Sequence, residues 1–152
     1  MDKKTITLSN ICSAELFAIE PNAKARAKAI ATGVTAKTNI VEGCLQSIPF
    51  PDRHFEMSFT SGVLIHVEPD SLETALSELG RVSSKYVLMT EYYSKHLQEV
   101  EYRGQNEMLW KADYGELFMK QNPGWRPVEA GFFWDKLTGF GDSNWWVFKR
   151  EE

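Results

Sequence analysis

Residues 15–67 read ELFAIEPNAKARAKAIATGVTAKTNIVEGCLQSIPFPDRHFEMSFTSGVLIHV, and this stretch decides the fold. It opens with a short apolar run closed by an acid (AELFAIE) and continues into an alanine- and lysine-rich segment that suits a helix. A second short run (TNIVEG) follows, then the turn phrase SIPFPDRHF, then an apolar run that enters a loop (EMSFTSGVLIHV). Strand–helix–strand–strand in this order builds half of an open α/β sheet. An acid at the tip of a strand stands where such sheets grip a ribose.

The same periodicities organise the rest of the chain. Residues 5–11 alternate polar and apolar side chains, the pattern of a strand with one wet face. Asn22 suits the N-cap of a helix over residues 23–31, and Gly33 its end. Residues 39–42 and 57–60 read as strands, the second buried on both faces. Asp70 or Ser71 is placed to cap a helix whose apolar face is Leu72, Ala75, Leu76, Leu79 and Val82, the i, i+3, i+4, i+7 spacing. Residues 86–90 (YVLMT) form a buried strand. Residues 114–121 form a helix that Pro123 and Gly124 stop, with Asp113 as its N-cap. Residues 128–134 and 145–148 are two late strands joined by a Gly- and Asp-rich loop. The expectation is a single domain over residues 1–152. It is α/β, with a mostly parallel sheet and one antiparallel addition at the C-terminus.

Composition narrows the classes. A chain of 152 residues, 43% hydrophobic and 25% charged, matches a globular protein with one real core. The net charge of -4 disfavours nucleic acid as the main partner, because phosphate binding asks for a basic face. No apolar run approaches the roughly 18 residues of a membrane span, and residues 1–10 contain no apolar signal core. Two cysteines without a secretory signal point to a reducing, cytoplasmic setting. Three histidines and two cysteines, all scattered, supply no metal-ligand spacing.

From residue 14 onward the chain resembles a class I S-adenosylmethionine-dependent methyltransferase. Within that superfamily it is most similar to the small methylases associated with pseudaminic acid biosynthesis. The stretches that carry the likeness are AIEPN, SIPFPDRHFEMSFTSGVLIHVEPDSL, RVSSKYVLMTEYYS, EYRGQNEMLWKADYGE and the final NWWVFKR. The resemblance implies a Rossmann-like methyltransferase sheet whose last strand runs antiparallel. It also implies S-adenosylmethionine as cofactor and a small-molecule acceptor, with a sugar acid or a nucleotide sugar as candidates.

One departure stands out. Relatives begin with a strand that ends in a glycine-rich loop, and here no glycine precedes Gly33. Between residues 5–11 and the run that starts at Ala14 only Cys12 and Ser13 remain, far short of the crossover that two neighbouring parallel strands need. Residues 5–11 are therefore expected to pair antiparallel, to sit at an edge, or to extend the next strand. They are not expected to be a central strand reached by a standard crossover. A fold truncated at its N-terminal strand–loop–helix leaves a gap that a second copy of the chain would fill.

Each candidate site residue has a plain alternative. The resemblance implies that Glu20 binds the two ribose hydroxyls; as a bare position it is an acid near a helix N-terminus, which the helix dipole favours. Cys44 sits where relatives often carry an adenine-binding Asp, but sulfur accepts weakly, and its plain role is that of a small buried hydrophobe. Leu45 or Ile48 is placed to pack on the purine. Ser61 and Gly62 would lie beside the methionine part of the cofactor, with Val63 near the adenine. His66 is the candidate general base for an acceptor hydroxyl or amine, or else caps or packs the following helix. Tyr92 and Tyr93 would line the acceptor pocket, Tyr92 among the catalytic candidates, or pack the rim. Arg103 presents a fork for an acidic acceptor. Methyl transfer from a sulfonium asks mainly for positioning, consistent with the lack of a metal cluster or a nucleophile–base pair. A domain that keeps the fold without catalysis, acting in binding or assembly, is the competing expectation.

Overall fold

The computed structural model describes residues 14–31, 38–139 and 141–152. The expectations for residues 5–11, Cys12 and Gly33 lie outside them. The chain divides into two compact units, Met1–Pro49 and Phe50–Glu152.

In the first unit, β1 (Leu16–Ile19) pairs in parallel with β2 (Thr38–Val41), with Ile19 opposite Val41. Helix α1 (Ala23–Ala31) starts at Asn22, whose side-chain Oδ1 accepts the amides of Lys24 and Ala25 at 3.0 Å each. These N–H groups have no partner within the helix, so the Asn side chain satisfies what the backbone leaves open. Arg26 ties the ends of both strands together. Its guanidinium donates to the Glu20 carbonyl (2.7 Å) and pairs with the Glu42 carboxylate (2.7 Å).

The second unit is built on a four-stranded sheet in the order β3–β4–β8–β7. Strand β3 is Phe55–Ser61 and β4 is Ser83–Glu91, and the two run parallel. The C-terminal strand β8 (Ser143–Arg150) inserts antiparallel between β4 and β7 (Trp125–Phe133). Strand β7 therefore points the same way as β3 and β4, and the last strand is the reversed one, as the sequence suggested. A short hairpin, β5 (Gln98–Glu99) with β6 (Trp110–Lys111), stands apart from this sheet. Helices α2 (Pro69–Val82) and α3 (Tyr114–Gln121) complete the core, and a short helix α4 (Asp135–Thr138) follows β7.

The periodic face of α2 is buried as its spacing requires: Leu72, Ala75, Leu76, Leu79 and Val82 are each 5% exposed or less. Phe118 of α3 meets Phe148 of β8 at 4.7 Å and Trp125 of β7 at 5.6 Å between ring centres. Burying one such ring contributes about 2–3 kcal/mol. Arg150, at the end of β8, donates to the carbonyls of Gly80 and Ser83 where α2 runs out, and its guanidinium lies over the Trp125 ring. Those carbonyls lack helical partners, so the cation serves as a cap from another element.

Several local expectations change. Helix α2 is not capped by Asp70 or Ser71. It begins two or three residues earlier, with Glu68 at the N-cap and Pro69 at the first helical position, where a missing N–H costs nothing. Strand β3 is not buried on both faces: Met57 is 48% exposed, because among the described residues β3 pairs only with β4. Residues 86–90 are likewise part of a longer strand, in which Val87 and Met89 are sealed while Tyr86 is exposed. Asp113 does cap α3, accepting the Glu116 amide at 2.9 Å.

The tryptophan pair resolves into two close approaches. Trp145 lies against Gly131, its cross-strand partner on β7, and Trp146 against Gly115 of α3. Both are half-buried. A Cβ on Gly131 would meet the Trp145 ring at 2.5 Å, inside any tolerable contact. Gly131→Val is expected to cost about 1–3 kcal/mol, the usual range for overpacking. Urea unfolding followed by tryptophan fluorescence measures it, and an unchanged midpoint would contradict this packing.

Candidate active site

Parallel strands present their carboxyl ends on one edge, and in open α/β sheets ligands bind there. In the second unit this edge is formed by Ser61 of β3 and Glu91 of β4. At Gly62 the chain turns through φ +63, a left-handed conformation that strains any residue with a Cβ. The Gly62 amide returns to the Thr90 carbonyl at 2.9 Å, which holds the turn onto β4. A single 3-10 turn, Leu64–His66, follows, with Leu64 and Ile65 buried and His66 exposed.

The segment between β4 and α3 folds back onto this turn. Tyr93 bridges to Ala112, and the Val100 amide donates to Leu109. At the tip, Tyr102 and Gln105 exchange both backbone hydrogen bonds around Arg103 (φ 55) and Gly104 (φ 77). Two left-handed residues between paired strands make a type I′ turn. Arg at the first of these positions is uncommon, since Asn or Gly adopts it at lower cost. The Arg103 guanidinium lies 5.0 Å from the Tyr102 ring centre, and the Tyr102 ring stands 5.4 Å from that of His66.

His66 Nδ1 sits 2.6 Å from the Met108 carbonyl oxygen. A carbonyl only accepts, so in the neutral ring Nδ1 carries the hydrogen and Nε2 keeps the lone pair. This is the tautomer that a base acting through Nε2 requires. Behind it, Tyr92 is half-buried with the Lys111 ammonium 5.7 Å from its ring centre, and Tyr93 is 44% exposed with the Trp146 ring 6.5 Å away. Ser61, Gly62, Val63, His66, Tyr92 and Tyr93 thus share one edge, and Arg103 reaches it through Tyr102.

In the first unit, Glu20 leaves β1 and Cys44 and Leu45 follow β2, again at the carboxyl ends of a parallel pair. Glu20 Oε1 accepts the Asn22 amide at 2.8 Å. Cys44 is exposed, not the buried hydrophobe its chemistry suggested, because residues 44–47 form a tight turn closed by the Ser47 amide on the Cys44 carbonyl (3.2 Å). Leu45 is half-buried.

One residue at the edge escaped the sequence reading. The Glu91 carboxyl is fully buried at the tip of β4. Loss of solvation pushes its pKa up to about 7, against the opposing pull of the Thr60 hydroxyl and of the amides of Val63, Leu64 and Ile65. Among the described residues no helix is long and apolar enough to cross a membrane, and no group of His, Cys, Asp and Glu is placed to hold a metal.

The open parallel edge, the glycine turn beyond β3 and the reversed last strand define a Rossmann-like methyltransferase fold. The model of the methyltransferase domain family matches residues 3–87, more than half of the chain, and the chain belongs to that family. No protein of curated function matches it significantly in sequence. Among solved structures it is similar to a 1,6-didemethyltoxoflavin-N1-methyltransferase of Burkholderia thailandensis, which holds 1,6-didemethyltoxoflavin and S-adenosylhomocysteine. The TM-score is 0.70 and the identity 12%, over 91% of this chain and 62% of that one. A SAM-dependent methyltransferase of Methanosarcina mazei gives a TM-score of 0.68 at 11% identity, over 89% and 81%. The [4+2]-cyclase SpnF gives 0.67 at 11% identity, over 98% and 70%. Identities this low establish the fold. The chain spans less than two thirds of the Burkholderia enzyme's length.

The Glu91 shift has a measurable sign. Its pKa stands above the ordinary carboxyl value of 4.5 in the folded state, so the fold holds the proton that the unfolded chain gives up. Its contribution is full below pH 4.5 and is lost as pH rises through about 7, a change on the order of 3 kcal/mol. Denaturant unfolding across that interval is expected to show stability falling with pH more steeply in the wild type than in Glu91→Gln. Parallel profiles would contradict the assignment.

Proposed function

We propose that this chain is an S-adenosylmethionine-dependent methyltransferase acting on a small acidic acceptor, working as one methyltransferase-like domain. The observation that carries this reading is the shared edge: the Gly62 turn, His66 in the tautomer that frees Nε2, two tyrosines and an arginine, in a chain of the methyltransferase family. The cofactor, when bound, supplies a methyl group on a sulfonium.

The residues fit such a ligand in stated ways. Glu20 spends one carboxylate oxygen on the Asn22 amide, while Oε2 has no protein partner among the described residues. A ribose diol offers donors to it. Leu45 supplies an apolar face for the purine. Cys44, exposed and a weak acceptor, contributes a contact without strong orientation. In the second unit, Ser61 and Gly62 are the candidates for the methionine tail, and Val63, 43% exposed, is the apolar candidate beside them. On the acceptor side, His66 Nε2 takes a proton from a hydroxyl or amine as that atom is methylated. Tyr92 and Tyr93 flank the acceptor, and Arg103 pairs with its acid group. The subfamily resemblance favours a nine-carbon sugar acid or its nucleotide-activated form as that acceptor.

Isothermal titration with S-adenosylhomocysteine tests the cofactor half. Binding is expected, and Glu20→Ala is expected to weaken it about 10- to 100-fold, the loss of a hydrogen bond to a charged group. No heat at millimolar ligand would leave a family member that serves binding or assembly without catalysis. For the acceptor half, Arg103→Asn keeps the type I′ turn and removes the charge. With a nucleotide-activated sugar acid as substrate, KM is expected to rise with kcat nearly unchanged. His66→Ala is expected to lower kcat by about a hundredfold or more, the usual contribution of a positioned base. Equal kcat in His66→Ala would remove the base from the scheme.

A further inference from the structure

The sealed carboxyl group at the tip of β4 has a geometry that its own strand does not explain. Glu91 Oε1 lies 3.3 Å from the Val63 amide nitrogen and Oε2 lies 3.4 Å from that of Ile65, with the Leu64 amide turned to the same group. These are consecutive N–H groups at the start of the 3-10 turn Leu64–His66. Such N–H groups have no partner inside the turn, and a carboxylate satisfies several of them at once. The contact joins residues 26 and 28 positions apart in sequence.

The surroundings leave the group few alternatives. From β3, Thr60 is 3% exposed; its Oγ1 completes no hydrogen bond of good geometry, but the hydroxyl stands near enough to the Glu91 carboxyl to favour the ionised form. From α3, the sealed Tyr114 phenol donates to the Trp110 carbonyl at 3.0 Å, so its hydrogen is already committed. The nearby imidazole of His66 is held by Met108 and Tyr102. Among the described residues no cation contributes to the carboxyl's environment.

We infer that Glu91 is a positioning residue for the acceptor edge: its buried carboxylate clamps the amides of residues 63–65 and thereby sets where Val63 and His66 point. The clamp is complete in the ionised state, when both oxygens accept. A protonated carboxyl keeps one hydroxyl hydrogen, which cannot face an N–H. One amide of the turn is then released. With the carboxyl titrating near pH 7, the turn tightens as pH rises through neutrality. The clamped state is thus the one with the greater desolvation cost, which the wild type carries at the expense of global stability.

The importance of this clamp for methyl transfer rests on the proposed function, but the clamp itself is measured without any ligand. Hydrogen exchange of the peptide spanning residues 61–68, corrected for intrinsic rates, is followed from pH 6 to 8.5. The wild type is expected to gain about tenfold protection across neutrality, the value of roughly one hydrogen bond. Glu91→Gln, whose amide cannot accept at both atoms, is expected to be flat and poorly protected. Thr60→Val tests the same idea if Glu91→Gln fails to fold. It removes the hydroxyl that favours ionisation, so the midpoint of the protection change is expected to move to higher pH. A wild-type profile without a pH-dependent step, or a midpoint unmoved in Thr60→Val, overturns the inference. A pH step with no S-adenosylhomocysteine binding keeps the clamp and discards the proposed function.

Discussion

Everything in the second unit is arranged around β4, paired on both sides. It runs parallel to β3 and antiparallel to β8, and its inward residues Val87 and Met89 are fully sealed. A strand held along both edges cannot slide without moving a whole set of side chains to the wrong face. Its tip is therefore a fixed point. From that point the Thr90 carbonyl holds the Gly62 amide and the Glu91 carboxyl holds the next turn. The loop beyond β3 owes its shape to its neighbour more than to its own residues.

The same logic explains which parts were legible beforehand. Helix α2 announced itself because its apolar spacing is an intrinsic property of five residues, and all five are buried. The caps at Asn22 and Asp113 were equally local, each bonding amides two or three positions away. The strand tips were legible as well, because acids and glycines at the ends of apolar runs have few other uses. The reversed final strand was expected from the terminal pair of apolar runs as well as from the resemblance, and strand pairing agrees with it.

What stayed hidden depends on partners far along the chain. Glu91 looked like the end of a strand, and nothing local shows that amides at residues 63–65 will converge on it. His66 found the Met108 carbonyl 42 positions away, which fixes its tautomer. Arg26 joins the Glu20 carbonyl to the Glu42 carboxylate, 16 positions beyond it in the chain. The backbone exchange between Tyr102 and Gln105 makes a tight turn around Arg103 that no residue of the stretch announced, since Arg is uncommon there. The starting position of α2 was missed for a smaller reason: a proline tolerated at the first helical position outweighed two better capping residues downstream.

The clustering of indoles carries a consequence for anyone following this molecule by light. All five tryptophans fall between Trp110 and Trp146, inside the unit Phe50–Glu152. Intrinsic emission is thus a reporter for that unit alone. The segment bearing Glu20, Cys44 and Leu45 is spectroscopically silent at those wavelengths, and melting there would leave the signal intact until a second probe is introduced.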